Sequence, residues 1–99
     1  MTTKTTKTTT RAYDSGYDDG ADRVQEDARS TGETPDVSRW FGPGQETADT
    51  ALINACDTKQ LAKVLGITVS QVRARGEVFD AACAEYNRGF EAGAKDEAR

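Results

Sequence analysis

Two charge patterns in this chain have the spacing to do chemistry. Asp14, Asp18, Asp22 and Glu26 follow one another at i, i+4, and Lys59, Lys63, Arg73 and Arg75 form a basic island with no acid among residues 58–76. In a helix each i, i+4 step rises about 6 Å, close to the spacing of successive phosphates on a nucleic-acid strand. Such a ladder predicts a surface able to enter a basic groove built for a backbone. Its plainer reading is a solvated acidic face, in which like charges one turn apart cost very roughly 1 kcal/mol together. The basic island predicts the opposite preference, for phosphate.

Other chemistries are poorly supplied. The chain contains no histidine, so acid–base work near neutral pH would need a carboxylate or lysine strongly shifted by burial. No glycine-rich phosphate loop or nucleophile motif is present. Cys56 and Cys83 lack CxxC spacing and histidine company, which predicts two free thiols and no metal site. The expectation is a protein that is not an enzyme and takes no cofactor.

A local frame must position the basic island. Asp57 can cap a helix with Gln60 as its reciprocal partner, and Thr68 with Gln71 repeats that capping box. Gly66 stands where the first helix would end in a left-handed residue. Leu61, Val64, Leu65, Ile67 and Val72 would close the core between the two helices, with Ala62 letting their backbones approach. The run Leu61-Ala62-Lys63-Val64-Leu65-Gly66-Ile67-Thr68-Val69-Ser70-Gln71-Val72 resembles the helix-turn-helix of phage and bacterial regulators, over residues 57–76 only. That resemblance implies double-stranded DNA as a partner, bound as a dimer on a two-fold operator. It would set Ser70, Arg73 and Ala74 toward the major groove and Lys59, Lys63 and Thr68 on phosphates.

The rest of the 99 residues reads as one all-α domain over 11–99 behind a Thr/Lys tail at 1–10. The tail has nothing to bury and is expected to be disordered; it is either a solubilising arm or a basic thread that touches phosphate. Arg11 to Arg29 predicts a helix with Tyr13, Tyr17, Gly20, Ala21, Val24 and Ala28 on a narrow stripe. A loop is expected at Ser30–Gly44, carrying Trp40 and Phe41 either as pins to the core or as a contact patch. A short helix is expected over Gln45–Cys56. Val72, Gly76, Phe79, Cys83, Tyr86, Phe90 and Gly93 alternate by four and three, which predicts one long helix from Val69 to Glu97. The expected total is four helices.

Tyr13-x-x-Gly16-Tyr17-x-x-Gly20-Ala21 matches Tyr86-x-x-Gly89-Phe90-x-x-Gly93-Ala94 position for position. The match predicts that the first and last helices pack together, within one chain or as the seam of a homodimer.

Charge divides the functional expectations. Residues 11–57 hold four arginines against eleven acids, and residues 77–99 three cations against six acids, for a net charge of −4. A small phage or mobile-element regulator that binds DNA is the first expectation. Against it stand the net charge and Glu77, which in a continuous helix lies one turn beyond Arg73. The alternative is an acidic inhibitor of anti-CRISPR or anti-restriction character, an analogy that rests on no shared motif. It would block the nucleic-acid site of a basic host protein complex by charge mimicry, through Asp14, Asp18, Asp22, Glu26, Trp40 and Phe41. The sequence shows no secretory signal and no bilayer-length apolar run, so a soluble, cytoplasmic protein with no membrane partner is expected.

Overall fold

The first helix, α1 (Arg11–Thr31), begins where the Thr10 hydroxyl accepts the Tyr13 N–H at 3.1 Å. It ends at Gly32, whose φ of 83° suits glycine and whose N–H reaches the Ala28 carbonyl. The computed structural model describes residues 10–99; the tail expectation for residues 1–9 lies outside them. After α1 come a 3₁₀ turn at Val37–Trp40, then α2 (Ala48–Ala55), α3 (Thr58–Leu65), α4 (Val69–Ala74) and α5 (Glu77–Glu97). The described residues are all helical in class, with five α-helices and no strand.

One departure from the sequence reading concerns α4 and α5. The expected continuous helix from Val69 breaks at Arg75–Gly76, which makes five helices of four. Arg75 is left-handed at φ 53°, an uncommon conformation for a residue with a Cβ. Its guanidinium lies 4.5 Å from the centroid of the Phe79 ring, a cation–π contact that offsets part of the backbone cost. Gly76 follows in extended conformation as the N-terminal cap of α5, outside any helix interior.

α1 and α5 run side by side in parallel. A Cβ added at Gly89 would land on the Tyr13 carbonyl, and one at Gly93 on the Tyr17 carbonyl. Reciprocally, a Cβ at Gly16 would strike the Tyr86 carbonyl, and one at Gly20 the Phe90 carbonyl. The two glycine pairs therefore face each other's backbones within one chain, and the aromatic neighbours flank the contact. On α1 the buried line is Ala12, Gly16, Gly20 and Val24. Tyr13 and Tyr17, expected on the buried stripe, sit half-buried at its edge, because the glycines occupy the line of closest approach. Tyr17 donates its hydroxyl to Asp96, and Tyr86 donates to Asp19 at 2.5 Å.

One core cluster joins Ala12, Leu61, Leu65, Val72, Phe79, Cys83 and Tyr86. A second, smaller cluster joins Val24, Val37 and Ala94, with Trp40 and Phe41 packed on it. α2 buries no residue fully and rests on α5 through half-buried Leu52 and Ile53. Asn87 of α5 accepts its Asp49 N–H at 2.8 Å. Among the described residues no helix is long and apolar enough to cross a membrane.

Candidate functional site

The basic residues of the α3–α4 segment are held by local chemistry. Asp57 accepts the Gln60 N–H at 2.8 Å while the Gln60 side chain accepts the Asp57 N–H at 3.0 Å. Thr68 and Gln71 form the same reciprocal box at 3.0 and 2.9 Å. These pairs satisfy backbone donors that a helix start would otherwise leave unmet. Between the boxes Gly66 turns the chain at φ 70°. Buried Leu61, Leu65 and Val72 hold the inner faces of α3 and α4.

Lys59 and Lys63 project from the outer face of α3, and Ser70, Arg73 and Ala74 from that of α4; all five are exposed. Thr68 is exposed too; its oxygen accepts the Gln71 N–H, and its hydroxyl hydrogen remains free to donate to a further partner. Arg75 is engaged on Phe79. Lys59, Lys63 and Arg73 make no ion pair among the described residues.

Arg11 joins this end of the molecule: its Cβ and Cγ would lie 2.5 and 2.7 Å from a Cβ placed on Gly66. The sequence reading did not group Arg11 with the basic island, because nothing local ties residue 11 to residue 66. The break at Arg75 also removes the register that set Glu77 one turn beyond Arg73 on one continuous helix. Glu77 instead opens the first turn of α5.

The acidic residues of α1 do not all face the same feature. An i, i+4 series drifts by about 40° per step around a helix with 3.6 residues per turn. Asp14, Asp18, Asp22 and Glu26 are all exposed, yet only Asp22 and Glu26 reach the cleft that holds Trp40 and Phe41. This open cleft, of about 520 Å³, lies between α1, the Trp40–Phe41 segment and α2. Asp19, which the sequence reading left out, lines it beside Asp22, while Asp14 and Asp18 do not. Burial pushes the Asp19 carboxyl above its usual range; the Tyr86 hydrogen bond opposes that rise, and neighbouring Asp22 and Asp18 add to it. Glu46 supplies a carboxylate from the opposite rim.

Trp40 and Phe41 are pinned to the core, and both also line the cleft. Phe41 meets Phe90 edge-on with ring centroids 6.3 Å apart, and Trp40 stands 6.3 Å from Phe41. The Arg23 guanidinium lies 5.6 Å from the Trp40 ring centroid.

Cys56 and Cys83 are both free thiols, and burial pushes the Cys83 thiol up to about 11. No group of metal-ligating residues is assembled among the described residues. No protein-family model matches the chain, and comparisons with curated proteins and with solved structures find no match either.

Proposed function

We propose that the α3–α4 segment is a helix-turn-helix that binds double-stranded DNA and that the protein is a small transcriptional regulator. The observation that carries this reading is the outer face of α3 and α4. Lys59, Lys63 and Arg73 stand exposed and unpaired among the described residues, with no carboxylate in residues 58–76 and Arg11 beside the turn. Lys59 and Lys63 meet phosphates, as does the Thr68 hydroxyl. Ser70, Arg73 and Ala74 face base edges.

The test is a duplex selection with the purified protein followed by gel shift. Arg73→Ala is expected to abolish sequence preference, since a side chain at a base edge discriminates by about 1–3 kcal/mol. Lys59→Ala and Lys63→Ala are expected to weaken all duplexes alike and to flatten the salt dependence. A protein for which no duplex outcompetes random DNA at any ionic strength is not a sequence-reading regulator.

A second reading rests on α1. Asp14, Asp18, Asp22 and Glu26 are exposed and pair with no cation among the described residues. On this reading the protein mimics a phosphate backbone and blocks a basic, nucleic-acid-handling complex. Neutralising the four acids would then abolish inhibition, whereas under the DNA reading it leaves binding intact or improves it.

A further inference from the structure

We propose that the cleft between α1, the Trp40–Phe41 segment and α2 binds an arginine-bearing segment of a partner protein. The proposal holds whether or not α3–α4 reads DNA; it shares Asp22, Glu26 and Trp40 with the charge-mimicry reading and differs from it in using Asp19 and Glu46 and in not needing Asp14 or Asp18. Asp19, Asp22 and Glu26 line one side of the cleft and Glu46 the other. Asp19 and Glu26 are seven residues apart, so their backbones are separated by about 10 Å along α1. Four carboxylates are more than one ammonium or guanidinium group can pair with, whereas a chain carrying several cations can meet them.

The wall formed by α2 is apolar, with Ala48, Ala51, Leu52 and Ala55 facing the opening. An apolar wall opposite a row of carboxylates suits the aliphatic stems of arginine or lysine, whose heads reach the acids. The cleft also already holds a guanidinium of its own. Arg23 lies over Trp40 at 5.6 Å, and its other tether is an ion pair to Asp27 at 3.7 Å between an exposed and a part-exposed side chain. Exposed pairs of this kind are weak, so an incoming arginine can displace Arg23 from the ring at little cost. The aromatic face thus serves as a cation seat with a built-in occupant.

Trp40 is the chain's single tryptophan and lines the cleft, so the tryptophan signal comes from a residue of the proposed site. The probe is a short synthetic peptide of alternating arginine and alanine, titrated against the full chain, with spermine as the polycation that lacks a peptide backbone. The expected result is a saturable change at Trp40. Asp22→Asn with Glu26→Gln should weaken it roughly five- to tenfold. Arg23→Ala should tighten it, and spermine at matched charge should bind more weakly than the peptide. Asp14→Asn with Asp18→Asn removes the same charge from α1 outside the cleft and should leave the affinity unchanged. Equal losses from the two acidic pairs would reduce the effect to diffuse attraction along α1 and overturn the proposal. So would spermine matching the peptide, or no saturable signal from a protein whose circular dichroism is helical.

Discussion

Cys83 is a thiol sealed in the main core, and its chemistry makes the fold sensitive to alkali. Burial is the main reason its pKa rises from 9.0 to about 11, with the charges of Asp49 and Asp80 adding to the rise. The Tyr86 phenol is raised in the same direction, first by burial and then by its hydrogen bond to Asp19. Both groups hold their protons more tightly in the folded chain than in the unfolded one. The Cys83 contribution is therefore intact below pH 9.0 and is lost as pH rises toward about 11, while that of Tyr86 starts to be lost only above pH 10.0. The expected melting midpoint is insensitive to these groups between pH 7 and 9 and falls above that, with a shallower fall in Cys83→Ala. A midpoint as high at pH 11 as at pH 8 would contradict the burial of both groups.

Between α1 and α5 the backbones are close enough that a single methyl group matters. In an isolated helix Gly89→Ala would gain about 1 kcal/mol. Here the new Cβ falls on the Tyr13 carbonyl, so the expected result is a loss of about 1–3 kcal/mol in urea unfolding. Gly66→Ala is expected to lose about 1–2 kcal/mol for a separate reason: φ is 70° and the side chain would press on Arg11. Unchanged midpoints for both would mean that neither contact constrains the fold. The capping boxes at Asp57 and Thr68 and the turn at Gly66 were legible in the sequence because each is decided within a few residues. The Tyr/Gly repeat was legible as a pattern, but not the line it buries, since Ala12 and Gly16 are buried where Tyr13 and Tyr17 are only half-buried. The break at Arg75 was hidden by a heptad spacing that continues across it, and the left-handed position there is taken by an arginine rather than a glycine. Asp19 escaped notice because charge spacing drew attention to the i, i+4 series, while the cleft selects a different line along α1.

Across the whole molecule the charges are segregated, with exposed cations on α3 and α4 and a carboxylate excess along α1. The α1 acids repel one another at one-turn spacing, so Asn/Gln in place of Asp14, Asp18, Asp22 and Glu26 should raise stability by about 1 kcal/mol at low salt. The gain should shrink as added salt shortens the range of charge interactions to a few ångströms; equal gains at low and high salt would point to helix propensity rather than charge. The pairing of α1 with α5 also governs the order of assembly. These helices are the first and last elements along the described chain, while α3 and α4 are separated by a three-residue turn. Loop-closure entropy makes the near pair cheap to join and the distant pair slow to meet. During synthesis the α3–α4 unit can therefore form while α1 still waits, with its glycine line uncovered, for α5 to emerge from the ribosome.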